Sequence, residues 1–189
     1  MNKVFIVPGY LASPNDHWFP WLAEKIQSTG ALAKIIQFTQ PEQPIYTQWQ
    51  QNLHEQIQDL DENSILIAHS LGCVTTLNFL SNILGSKSVK ALICVAGFEE
   101  KLSSLPQLNE YIQQTHIDHA LIQQHIQQRS VYFSNNDPLV PAALSLHLAD
   151  LIQATPTEVK QAGHFMGQDG YIQFPQLWDQ VKVLLNSKL

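Results

Sequence analysis

Short, continuous apolar runs alternate with longer segments of helical periodicity along almost the whole chain, and this alternation narrows the fold most. Val4–Val7 is apolar throughout and stops at Pro8-Gly9. Runs of this kind fit strands covered on both faces, as in a parallel sheet. Trp18–Thr29 then puts Trp18, Trp21, Leu22 and Ile26 on one side of a helix that Gly30 ends. The same reading predicts further strands over Ala33–Phe38, Ser64–His69, Val89–Ala96, Ser130–Ser134 and Thr157–Gln161. It predicts helices over Tyr46–Leu60, Leu71–Leu84, Pro141–Ile152 and Phe174–Asn186. Phe98–Gln128 carries no strand pattern and reads as a loop with two short helices, Leu105–Gln114 and Ile117–Gln128. Six strands with intervening helices imply an α/β fold, with a mostly parallel sheet and helices on both faces. At 189 residues the chain reads as one domain, 1–189, large enough to fold without cross-links.

Charge and cysteine usage exclude several classes. Ten Lys and Arg against sixteen Asp and Glu leave a net charge of −6, which argues against nucleic acid as a partner. Cys73 and Cys94 are too few for a disulfide framework. Both lie in apolar stretches and read as buried free thiols of a reducing compartment. The apolar run after Lys3 is too short for a signal-peptide core, and no stretch approaches the roughly 18 apolar residues of a membrane span. The expectation is a soluble, cytoplasmic protein with no membrane span.

The third predicted strand runs into Ala68-His69-Ser70-Leu71-Gly72, and a helix follows at once. A serine at a strand-to-helix turn, with small residues two before and two after, is a nucleophile elbow. The turn lifts the hydroxyl above the sheet and aims a helix N-terminus at it, so the Leu71 N–H becomes a candidate oxyanion donor. Ala68 stands where the pattern usually has glycine, a departure of one methyl group. A serine hydroxyl needs a base, and the base an orienting carboxylate. Asp137 follows the fifth predicted strand in Ser134-Asn135-Asn136-Asp137-Pro138, and His164 follows the sixth in Gly163-His164-Phe165. Ser70, Asp137 and His164 thus end strands three, five and six, in the chain order such hydrolases use. Each residue alone has a plain structural reading; together they read as a catalytic triad.

The chain also resembles a known family, the small serine hydrolases of the YdeN and retinoblastoma-binding-protein type, compact members of the α/β-hydrolase superfamily. The resemblance runs almost end to end. It is carried by Val7-Pro8-Gly9-Tyr10, His17-Trp18-Phe19-Pro20-Trp21-Leu22, the elbow Ala68–Gly72, Asp137–Pro141 and Gly163-His164-Phe165. Many relatives carry histidine where this chain has Pro8. The resemblance implies a six-stranded sheet without the superfamily's two leading strands, with Ser70 as nucleophile, His164 as base and Asp137 as its orienter. It also implies that 98–128 forms a small helical cap over the site, with an apolar underside from Leu105, Leu108, Ile112, Leu121 and Ile122. Packing against the sheet edge is the plainer reading of the same residues.

The second oxyanion donor is expected from the loop after the first strand. Gly9 allows close backbone approach, the Tyr10 N–H is the candidate and Leu11 the alternative. Gly9, Leu11, His17, Trp18, His69, Phe98 and Phe165 are candidate pocket residues. Plain core packing is the competing reading for Trp18, and His69 reads as a neighbour in the elbow without a direct role. His116, His119 and His125 have neither a cysteine partner nor an H-E-x-x-H spacing, so no metal and no cofactor are expected. The expected activity is hydrolysis of a small or medium acyl ester through an acyl-enzyme, with a small-molecule ester-like substrate. A thioesterase or a peptidase or amidase with the same triad, and a protein-binding module on a hydrolase scaffold with an unknown partner, are the alternatives. A dehalogenase would need an aspartate where Ser70 stands.

Overall fold

The computed structural model describes residues 1–187. Six strands form one sheet: β1 (Lys3–Val7), β2 (Leu32–Ile35), β3 (Ser64–His69), β4 (Val89–Val95), β5 (Ile126–Phe133) and β6 (Thr155–Glu158). Their order is β2-β1-β3-β4-β5-β6 and every pairing is parallel. Seven α-helices are interleaved: α1 (Phe19–Gln27), α2 (Tyr46–Gln56), α3 (Leu71–Ile83), α4 (Asn109–Gln113), α5 (His119–His125), α6 (Ala142–Leu151) and α7 (Pro175–Asn186). No helix among the described residues is long and apolar enough to cross a membrane.

The continuous apolar runs become strands because both sheet faces are covered. Successive side chains point to opposite faces. Phe5, Val7, Leu66, Ala68, Leu92 and Cys94 join one core with Trp49 and Leu53 of α2, Val74 and Leu77 of α3, and Leu148 of α6. Val4, Ile6, Ile65, Ile67, Ala91 and Ile93 join the other with Phe19, Leu22 and Ile26 of α1 and Val181 and Leu184 of α7. Cys73 and Cys94 are free and buried in the first.

Strand order decides where the site lies. From β1 the chain runs outward to β2, then returns to lay β3 on the other side of β1. Parallel sheets bind ligands at this reversal, beyond the strands' carboxyl ends. Val7 pairs with Ala68, so the Pro8-Gly9 loop and the turn at Ser70 open side by side at that end. Gly72 lets α3 come this close. A Cβ there would stand 2.3 Å from the Pro8 carbonyl oxygen and 2.7 Å from that of Val7. The obstacle is backbone, which cannot swing aside. Gly72→Ala is expected to cost about 3 kcal/mol or more. At about 2–4 °C per kcal/mol for a chain of this size, a thermal melt should register a drop of about 6–12 °C.

Several predicted boundaries move. The helix expected over Ile117–Gln128 ends at His125, and β5 begins at Ile126 rather than Ser130, so 126–128 belong to the sheet and not to the excursion. Ile126 pairs with Val89 and Gln128 with Ala91. Gln127 and Gln128 are exposed, so no apolar period marks them, and sheet pairing overrides their helical preference. β6 is Thr155–Glu158 rather than Thr157–Gln161. It is an edge strand, mostly exposed, and tolerates Pro156 there. β2 stops at Ile35 and α2 at Gln56, short of Phe38 and Leu60.

The excursion after β4 packs along α3. Tyr111 Oη and Thr75 Oγ1 lie 2.8 Å apart, Asn78 Oδ1 accepts the His116 N–H at 2.8 Å, and Ser81 Oγ accepts the Asp118 N–H at 2.9 Å. Leu108, Ile112 and Ile122 are buried beneath it, with Leu105 and Leu121 partly so.

Candidate active site

The turn between β3 and α3 is tight because its central residue leaves the ordinary backbone regions. Ser70 has φ 55° and ψ −125°. A non-glycine residue there costs roughly 1–3 kcal/mol and persists only where its surroundings enforce it. Here the Ser70 N–H donates to the Val95 carbonyl at 2.9 Å, and the Ser70 carbonyl accepts the Cys73 N–H at 2.8 Å. Sheet and helix together hold the strained residue.

The structure brings Ser70, His164 and Asp137 into one hydrogen-bonded line. Ser70 Oγ lies 2.9 Å from His164 Nε2, and His164 Nδ1 lies 2.7 Å from Asp137 Oδ2. A carboxylate only accepts, so Nδ1 carries the proton and Nε2 is free to accept from the hydroxyl. The His164 and Asp137 side chains are 4% and 1% exposed, so water does not compete for this bond. The second carboxylate oxygen, Oδ1, accepts the N–H groups of Leu139 at 2.8 Å and Val140 at 2.9 Å. Asp150 is exposed on α6, and Asp118 is occupied capping α5 through the Leu121 N–H.

A ladder between two loops sets this line. Asn135 Oδ1 accepts the Gln161 N–H, Ser134 Oγ the Ala162 N–H and Asn136 Oδ1 the Gly163 N–H, each at 2.9 Å. The His164–Asp137 bond is the next rung. Asp169 closes the histidine loop, its Oδ2 accepting the His164 N–H at 2.9 Å and the Met166 N–H at 3.1 Å. Sequence reading missed Ser134, Asn135, Asn136 and Asp169. Ser-Asn-Asn-Asp looks like ordinary turn chemistry, and Asp169 has only its nearness to His164 to mark it.

The loop after β1 supplies the opposite wall. A Cβ on Gly9 would stand 2.8 Å from the His69 carbonyl oxygen and 3.0 Å from Ser70 Cβ, so only glycine lets this backbone approach the elbow. The Leu11 N–H is committed to the Pro41 carbonyl at 2.9 Å, which removes it as a donor. The Tyr10 N–H has no hydrogen-bond partner among the described residues. Leu71 opens α3, where an N–H has no partner within the helix. Both N–H groups lie on the segments that flank Ser70.

The other candidates divide. Trp18, Phe98 and Phe165 have no exposed surface and pack within the two cores, where plain core packing was the competing expectation for Trp18. Their size is the reason, since rings this large complete the packing beside the strand ends. Leu11 is 64% exposed at the rim. His17 ties its segment to the histidine loop, Nδ1 accepting the Gly167 N–H at 3.0 Å. Among the described residues, no three His, Cys, Asp or Glu side chains converge as metal ligands do.

His69 is fully packed, and burial, reinforced by neighbouring His164, holds its pKa well below the usual 6.5. Burial lowers His17 in the same direction. The unfolded chain therefore binds protons that the native state refuses, and stability rises with pH through this window. It is complete above about 6.5 and is lost as the pH falls below it. His147 has the opposite sign, since Glu100 raises it, but it is exposed and contributes little. The melting temperature should fall between about pH 7.5 and 5.5, above the usual carboxylate range. His69→Gln should flatten that limb in a thermal melt.

Comparisons with known proteins show the family and the fold. A family described as serine hydrolase matches residues 4–183. The hydrolase YdeN of Bacillus subtilis is 37% identical over 178 residues, covering 94% of this chain and 93% of YdeN. The crystal structure of the B. subtilis ydeN product superposes with a TM-score of 0.91 at 34% identity, covering 99% of this chain and 100% of that one. Est1E of Butyrivibrio proteoclasticus, solved with ferulic acid bound, shares the fold alone. Its TM-score is 0.70 at 12% identity, over 98% of this chain and 88% of that one.

Proposed function

The chain belongs to the serine hydrolase family, and we propose that it cleaves a carboxylic ester of a small or medium acyl group through an acyl-enzyme on Ser70. The observation that carries this reading is the unbroken line from Ser70 Oγ through His164 to Asp137. In the first step Ser70 Oγ attacks the acyl carbon while His164 Nε2 takes its proton. Asp137 holds the ring in the tautomer that can accept it and stabilises the imidazolium formed. The carbonyl oxygen becomes an oxyanion facing the N–H groups of Leu71 and Tyr10, aided by the positive end of α3. His164 returns the proton to the departing alkoxide, which leaves as the alcohol. A water molecule then repeats the sequence on the acyl-enzyme, releasing the acid and restoring Ser70.

Access supports a small acyl group. Ser70 is 5% exposed and His164 3%, so little of the reacting pair is open to a bulky acyl group. The excursion after β4 acts as a cap in this reading. Ser104 Oγ donates to the Leu139 carbonyl, which ties it to the loop bearing Asp137. The buried free thiols fit a reducing, cytoplasmic setting.

A fluorophosphonate probe followed by mass spectrometry of the modified peptide tests the reading. The expected result is a single adduct on Ser70. Turnover of p-nitrophenyl esters should then fall as the acyl chain lengthens from acetate to octanoate. Folded protein that takes no adduct would overturn it.

A further inference from the structure

We propose that His69 is a positioning residue, whose Nε2–H grips the main-chain carbonyl of His164 and keeps that imidazole in line between Ser70 and Asp137. The inference rests on the reading of Ser70 and His164 as nucleophile and base. His69 Nε2 lies 2.8 Å from the His164 carbonyl oxygen across 95 residues of sequence. A carbonyl can only accept, so Nε2 carries the proton and His69 is the donor. His69 Nδ1 is buried with no hydrogen-bond partner among the described residues. Filling this volume needs no nitrogen, and an unpaired one is a cost. The ring's single hydrogen bond is therefore the property that distinguishes histidine from a hydrocarbon at this position.

The surroundings make the grip rigid. Trp18 meets the His69 ring edge-on at 6.2 Å between centroids, Phe19 at 5.9 Å and His17 at 5.8 Å. Asp169 holds the His164 N–H while His69 holds its carbonyl, so the main chain of the base is pinned on both sides. His69 is also the residue before Ser70, so the turn that presents the nucleophile sets the position of the base. The two rings lie 4.9 Å apart. Burial keeps His69 neutral, so no second cation stands beside the imidazolium that forms on His164.

Two amides separate positioning from packing. The amide of His69→Gln reaches about as far as Nε2, whereas that of His69→Asn falls short of it. Wild-type protein is labelled with fluorophosphonate first, so that failure of the Ser70 reading is recognised separately. With p-nitrophenyl acetate, His69→Asn should lower kcat about 10²-fold, the loss expected for a misplacement near 1 Å, with KM little changed. His69→Gln should recover most of it. The downfield proton NMR signal of the His164 Nδ1–H needs no turnover. It should stay sharp in wild type and His69→Gln and broaden in His69→Asn. A folded His69→Asn protein with wild-type kcat and a sharp signal would overturn the proposal. So would equal losses in the two variants, which would make His69 a packing residue only.

Discussion

Ser70→Ala should lower hydrolysis of an activated ester by about 10⁶-fold, the loss found when a triad nucleophile is removed elsewhere. The fold should survive. Alanine meets the same strained backbone as serine, and the turn is held by the main-chain bonds to Val95 and Cys73 that the substitution leaves in place. The variant loses the hydrogen bond to His164 Nε2, worth about 1 kcal/mol. That corresponds to a melting shift of about 2–4 °C. Steady-state kinetics beside a thermal melt checks both halves. A folded variant with undiminished turnover would place the nucleophile elsewhere.

Asp137→Asn should cost about 10⁴-fold in kcat, by a route this site makes specific. The carboxylate divides its work: Oδ1 accepts the Leu139 and Val140 N–H groups, and Oδ2 accepts from His164. In asparagine only one of the two atoms is an oxygen. The two main-chain N–H groups will hold that oxygen in the Oδ1 place, which leaves the NH₂ facing His164 Nδ1. The ring must then accept there and carry its proton on Nε2, where it can no longer take one from Ser70. The loss should fall on kcat more than on KM, because the substrate does not touch Asp137. An unchanged rate would mean that the ring finds its tautomer without this carboxylate, since Asp118 and Asp150 are engaged or exposed elsewhere.

The site's parts were unequally legible. Ser70 could be read because its surroundings are local: an apolar strand, a tight turn with small neighbours, and a helix, all within a few residues. Asp137 and His164 could be placed because each follows a predicted strand in the expected order. The start of β5 could not, since Gln127 and Gln128 are exposed, and the segment is a strand only because Ile126 and Gln128 find Val89 and Ala91 alongside. The grip of His69 and the loop ladder were equally hidden. Asn135, Asn136 and Asp169 look like loop residues until the fold brings their acceptors to particular N–H groups.

What the amino-acid sequence determined by itself is therefore the α/β class, the two-sided burial of the central strands and the elbow at Ser70. These depend on periodicity and on short-range sterics, which a chain carries within a few residues. Tertiary structure alone decided which carboxylate oxygen meets which N–H, which loop donor is free beside Ser70, and how His164 is held from both sides. Those are hydrogen bonds between loops far apart in the chain. They have no period, and they become definite only when the sheet has fixed its strand ends in space.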